Sequence, residues 1–221
     1  MNWAEARKLM VQQQISPYQV TSPGLLDAFN RIPRERFVAA PYQHLAYSEA
    51  ELPIGQNQVM IPPALLGRLI QALEVSPRDR ALVIGAGTGY SSALLSLLAK
   101  DVIAVELSSP LASLARENLA SLQIENVQVK TGDGVYGGPY GGAKLGGIDD
   151  ILVCGSLPYL PAVLRNQLNI GGHLIIVVGQ GPVMQVELHQ RQSKTEWSAL
   201  TLFESALAPL SHNLKATSFT F

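Results

Sequence analysis

Three glycines at alternating positions, Gly85, Gly87 and Gly89, and two later carboxylates, Glu106 and Asp133, are the residues whose types and spacing point to chemistry in this 221-residue chain. The glycines come after the apolar run Ala81-Leu82-Val83-Ile84 and precede the helical pattern Ser91 to Leu98. The stretch therefore reads as a buried parallel strand, a tight loop and a helix. Glycine lets the backbone turn sharply and lets a ligand lie against it. The helix behind the loop offers unpaired N–H groups and a partial positive charge. Glu106 ends a second apolar strand, residues 101–106, about 20 residues beyond Gly85, where an acid can accept from both hydroxyls of a ribose. It also reads as a charge at a helix start, since Ser108, Ser109 and Pro110 cap the next helix. Asp133, between Gly132 and Gly134 after a third strand at 127–129, can accept a hydrogen bond; an Asp between two glycines also reads simply as a turn.

The elements that must hold these residues are legible in outline. At 47% apolar and 15% charged, the chain can build a large core and is not disordered. A net charge of −1 gives no bulk-charge surface for nucleic acid or an anionic membrane. Cys154 is the single cysteine, which excludes an intrachain disulfide and a cysteine zinc cluster, and the histidines at 44, 173, 189 and 212 lack metal-ligand spacing. No apolar run reaches the length of a membrane span and no signal region is visible, so the cytoplasm is the expected compartment. Residues 2–14 have helical spacing, and Ser22-Pro23 looks like an N-cap opening a second helix through Phe29. Residues 32–63 read as an irregular segment broken by Pro and Gly, and Pro62-Pro63 opens a helix through Leu73 with one core-facing stripe. The helix at 110–121 places Leu111, Leu114, Ala115 and Leu119 on one face. A fourth strand runs 149–155, a helix from Pro158 to Leu168 ended by Gly171-Gly172, and a fifth strand 173–179. The alternating runs 183–189 and 200–204 predict an antiparallel hairpin, and Lys215 to Phe221 a short terminal strand. The glycine-rich stretch 132–147, half of it glycine, reads as a loop.

A dinucleotide fingerprint places its third glycine one position later, where Tyr90 stands, which makes an NAD-linked oxidoreductase a distant reading. Gly85-Ala86-Gly87-Thr88-Gly89 instead resembles the first motif of the Rossmann-like S-adenosylmethionine methyltransferases. Upstream, Pro33-Arg34-Glu35-x-Phe37-Val38, Ala46-Tyr47, Leu52-Pro53-Ile54-Gly55 and Gln58 resemble the N-terminal signature of the protein-L-isoaspartate O-methyltransferases. Gly132-Asp133-Gly134, Gln167-Leu168 with Gly171-Gly172, and Val178-Gly179 continue the resemblance over nearly the whole chain. It implies an α/β fold with a mostly parallel seven-stranded sheet, an antiparallel C-terminal hairpin and an N-terminal helical addition. The addition with the substrate loop would be residues 1–63 and the cofactor domain 64–221, packed as one unit.

The resemblance further implies S-adenosyl-L-methionine as cofactor and S-adenosyl-L-homocysteine as its product. Gly85, Ala86, Gly87, Gly89, Tyr90, Glu106, Leu107, Gly132, Asp133 and Gly134 would hold it, Asp133 at the adenine amino group. The acceptor would be an isoaspartyl carboxylate in a damaged protein or peptide, with no metal, nucleic acid or membrane involved. Gln58, Val59, Met60, Ile61 and Pro63 would form the substrate loop. There the chain departs from the family's Thr-Ile-Ser-x-Pro: Val59 and Ile61 replace both hydroxyl residues, and the hydroxyl at the position of Ile61 is the one expected to bond the isoaspartyl carboxylate. Val83 likewise stands where an acid is common. These departures favour two further readings, a methyltransferase with a different acceptor, a small molecule included, and a non-catalytic cofactor-binding member.

Overall fold

The computed structural model describes residues 2–136 and 147–211. The predicted terminal strand at 215–221 and most of the glycine-rich loop fall outside them. Helix α1 (Trp3–Met10) starts at Asn2, whose side chain accepts from the Glu5 N–H, and runs on as a π turn over Val11–Ile15. Helix α2 (Pro23–Arg31) is capped by Ser22, as its Ser-Pro start predicts. Both lie with α3 (Pro63–Ala72) over one face of a sheet.

That sheet contains β3 (Arg80–Ile84), β4 (Asp101–Glu106), β5 (Val127–Thr131), β6 (Ile148–Leu157), β7 (Leu168–Val178), β8 (Met184–Arg191) and β9 (Trp197–Ser205), in the order β5-β4-β3-β6-β7-β8-β9. The first five in that order pair in parallel and the last two antiparallel. Because the central strands are covered on both sides, they are apolar throughout, and alternate residues enter two cores. Val83, Ala104, Leu152 and Ile175 face the N-terminal helices together with Phe29, Phe37 and Leu66. Ile84, Val105, Val153 and Ile176 face a smaller core with Leu164 and Leu210. Val83 is fully buried in the first core, so an acid at this position would need a partner. Helix α4 (Tyr90–Ser96) follows β3, α5 (Ser109–Ser121) follows β4, and α6 (Ala162–Arg165) lies between β6 and β7. Chain order reverses between β3 and β6, and a ligand crevice belongs at the carboxyl ends of the strands beside such a reversal.

Three local expectations are corrected. The segment 32–63 contains a hairpin, β1 (Leu52–Gly55) and β2 (Gln58–Met60), whose turn residues Gln56 and Asn57 both have positive φ, 55° and 56°. That is the twist a two-residue hairpin requires, made here without a glycine at either central position. The predicted helix 158–168 is only Ala162–Arg165: the chain enters β7 at Leu168 and passes straight through Gly171-Gly172, where the register against β6 slips. Leu114 is exposed, because α5 buries the stripe Leu111, Ala112, Ala115 and Leu119. Among the described residues no helix is long and apolar enough to cross a membrane.

Candidate active site

The loop between β3 and α4 runs against the end of β4. Gly85 and Ala86 donate their N–H groups to the Val105 carbonyl at 2.9 and 3.1 Å. Gly85 has φ +79° and Gly87 φ +55°, which only glycine adopts without cost. Space is as tight as conformation: a methyl on Gly85 would stand 2.4 Å from Leu210 Cδ1, and one on Gly87 2.9 Å from Ile54 Cδ1. The loop is thus roofed from two directions, by the β1–β2 hairpin and by the segment after β9.

Glu106, at the end of β4, is almost wholly buried. Its Oε2 accepts from the Gly87 N–H at 2.8 Å and its Oε1 from the Ser108 N–H at 2.9 Å. Two backbone donors fix the carboxylate plane, and each oxygen keeps a further lone pair for a hydroxyl. Asp133 Oδ1 accepts from the Val135 N–H at 3.0 Å, and Gly132 donates to the Glu106 carbonyl at 2.9 Å. The two acids singled out in the sequence therefore stand at adjacent strand ends and line one cleft of about 440 Å³.

The same cleft is lined by Gly85, Ala86, Gly87, Tyr90, Leu107, Gly132 and Gly134, and by Gln58, Val59, Met60 and Ile61. Two expected site residues do not line it. Gly89 caps α4 and packs on Ala115, and Pro63 is the buried first residue of α3. Tyr90 touches the cleft but has its ring in the core, edge-on to Phe29 and Phe37. Burial pushes its hydroxyl up to about 12.

Several lining residues were not among the expected site residues. Ile54 and Gln56 come from the hairpin, and Leu210 and Ser211 from the chain beyond β9. The latter pair is placed by long-range backbone bonds: Ser156 donates to the Ala208 carbonyl and Leu210 to the Ser156 carbonyl, both at 3.0 Å. Cys154, within β6, also lines the cleft, and burial pushes its thiol up to about 12.

Arg34 supports the floor of the hairpin. It is fully buried, lies 4.9 Å from the Tyr90 ring centroid and donates through Nη2 to the Ile61 carbonyl at 2.9 Å. Burial lowers its pKa, opposed by Tyr90 and by Glu49. The Glu49 carboxylate accepts from the Ala64 N–H in the first turn of α3.

The cleft fits an adenosyl sulfonium. It offers a carboxylate oriented for a diol, a second acid beside it, and a glycine loop that a Cβ would close. Among the described residues that line it there is no Lys, Arg or His, so its field favours a cation. Residues 5–215 match the model of the protein-L-isoaspartate(D-aspartate) O-methyltransferase family. The chain belongs to that family. Curated relatives include protein-L-isoaspartate O-methyltransferase 1 of Rhodopseudomonas palustris, 41% identical over 80% of this chain and 71% of the relative. Protein-L-isoaspartate O-methyltransferase 2 of Marinobacter nauticus is 35% identical over 94% of this chain and 93% of its own. A solved protein-L-isoaspartate O-methyltransferase superposes with a TM-score of 0.81 at 25% identity, over 94% of this chain and 67% of that one. A Plasmodium falciparum protein solved with S-adenosyl-L-homocysteine shares the fold, with a TM-score of 0.78 at 19% identity over 94% of this chain and 99% of that one.

Proposed function

We propose that the protein transfers a methyl group from S-adenosyl-L-methionine to the side-chain carboxylate of L-isoaspartyl residues in damaged proteins or peptides. The observation that carries this reading is the doubly braced Glu106 carboxylate facing the glycine loop, in a family member whose β1–β2 hairpin closes the same cleft. Glu106 would take the ribose hydroxyls and Asp133 the adenine amino group, with the Gly85–Gly87 backbone against the methionine part. The bound cofactor supplies an electrophilic methyl on a good leaving group. An acceptor carboxylate is already a nucleophile, so this chain needs no general base; its task is to hold the acceptor in line and keep water away. Residues 1–63 would carry the acceptor jaw and residues 64–221 the cofactor half, packed as one unit.

The test is calorimetric titration of S-adenosyl-L-homocysteine into the protein, then a methyl-ester assay on an isoaspartyl peptide and its aspartyl control. Binding together with methylation of the isoaspartyl peptide alone is the expected result. Binding without methylation would reject the proposed acceptor and leave only a cofactor site.

A second reading, in which the acceptor is less polar, rests on Val59, Met60 and Ile61 lining the cleft. It predicts that the aspartyl and isoaspartyl peptides are equally poor substrates and that Val59→Thr with Ile61→Ser creates activity.

A further inference from the structure

The cleft divides by the strands that supply it. Glu106, Asp133 and the glycine loop stand at the ends of β4, β5 and β3, so a cofactor held by them has its reactive end toward β6 and the hairpin. What lines that end is mostly apolar: Ile54, Val59, Met60, Ile61, Cys154 and Leu210. An anionic acceptor there needs donors, and the hairpin side chains Val59 and Ile61 have none.

On the facing jaw stands Ser211. Its Oγ accepts a hydrogen bond of 3.0 Å from Gln58 Nε2, which bridges β2 to the segment beyond β9. The direction of that bond matters. The amide nitrogen of Gln58 is taken up by Ser211 and by the Asn57 carbonyl at 3.3 Å, so Gln58 turns only its carbonyl oxygen to an incoming anion. Ser211, which is the acceptor in this pair, keeps its own proton for donation. Ser211 is exposed at the mouth of the cleft, where an acceptor arriving on another protein would meet it. Gln56 also reaches the cleft, but it stands exposed on the turn tip and forms none of the described hydrogen bonds that would fix it.

We propose that the Ser211 hydroxyl binds the acceptor carboxylate, oriented by Gln58, so that the polar contact with the acceptor is made from the C-terminal segment across the cleft from the hairpin. Ser211 is then an acceptor-binding residue and Gln58 a positioning residue. This rests on the isoaspartyl reading and names the group that would recognise its carboxylate.

The experiment is calorimetric titration of the isoaspartyl peptide into the full chain saturated with S-adenosyl-L-homocysteine, with methyl transfer measured in parallel. Ser211→Ala is expected to weaken the peptide roughly tenfold or more, the effect of losing one hydrogen bond to a charged group. Its S-adenosyl-L-homocysteine affinity and unfolding midpoint should stay at the wild-type values. Ser211→Thr, which keeps the hydroxyl, should restore binding. Gln58→Leu should raise KM for the peptide by a smaller factor and leave kcat in place. Wild-type peptide binding left unchanged by Ser211→Ala overturns the role of Ser211 alone. Wild-type protein that binds S-adenosyl-L-homocysteine but neither binds nor methylates the peptide overturns the isoaspartyl reading, and this inference with it.

Discussion

Replacing Glu106 by Gln separates bracing of the loop from binding of the cofactor. In the native site each carboxylate oxygen accepts one backbone N–H, from Gly87 at 2.8 Å and from Ser108 at 2.9 Å. A glutamine has the same shape but only one acceptor oxygen. Whichever way its amide is turned, an NH₂ group faces one of those two N–H groups and leaves a buried donor unpaired, at a cost of about 1–3 kcal/mol to the free protein. That loss appears as a lower urea midpoint without ligand. The second loss appears only on binding: one ribose hydroxyl exchanges a charged acceptor for an amide donor, worth about 1.5–3 kcal/mol. At about 1.4 kcal/mol per tenfold, S-adenosyl-L-homocysteine should bind roughly 10- to 150-fold more weakly. Calorimetry on Glu106→Gln, checked by urea unfolding of the same sample, measures both. If affinity stays within about threefold of wild type while the urea midpoint falls, Glu106 only braces the loop and the ribose assignment is wrong.

Gly85→Ala should lose about 1–3 kcal/mol of stability in urea, because its φ of +79° is strained for any other residue. The added methyl also meets Leu210, so Leu210→Ala in the same chain should recover only the packing part of the loss. Asp150 is buried, and burial, together with the charge and side-chain hydrogen bond of Asp79 and the charge of Asp149, pushes its carboxyl up to about 8; His173 Nδ1 lies 3.9 Å from its Oδ1. The folded protein therefore keeps a proton that the unfolded chain releases near pH 4. Asp150 lowers stability as pH rises from about 4 toward about 8. Asp150→Asn should flatten that slope and be more stable than wild type at pH 7.5 but not at pH 4, read by chemical denaturation at both. Cys154 should react with iodoacetamide at pH 8 at least ~100-fold more slowly in the native protein than in urea, since burial holds its thiol near 12.

The parts of the site that were legible are those whose signal is local. β3, its loop and α4 are adjacent in sequence, and the glycines mark a turn that no other residue makes cheaply. Glu106 is announced by the strand it ends, and α5 by Ser108, whose side chain accepts from the Leu111 N–H at 3.4 Å. What was hidden depends on distant partners. The β1–β2 hairpin has strands of four and three residues, a proline in the first, and a turn of Gln and Asn where glycine usually announces one. The strand at Leu168 comes after a proline-started turn with helix-forming residues, and only its pairing with β6 makes it extended. Arg34 belongs to the N-terminal signature, but its burial is set by Tyr90 and the Ile61 carbonyl, far along the chain, which receive it.

The same distinction explains why the cofactor half of the cleft is legible in more detail than the acceptor half. The proposed cofactor contacts come from the ends of β3, β4 and β5, each carrying its own turn chemistry. The proposed acceptor end is assembled from a hairpin before the sheet, Cys154 within β6 and Leu210-Ser211 after the last strand. A hydroxyl lost from one of those segments can be supplied by another without any local trace, because the cleft needs a donor at a point in space and not at a position in the chain. With no cationic side chain among its described lining residues, the cleft can balance an acceptor carboxylate only through neutral donors and the positive charge of the cofactor. With no hydroxyl on Val59 or Ile61, the proposed acceptor site would depend more heavily on what the facing jaw supplies. The Gln58–Ser211 bridge is the described contact that ties the two jaws together at that end.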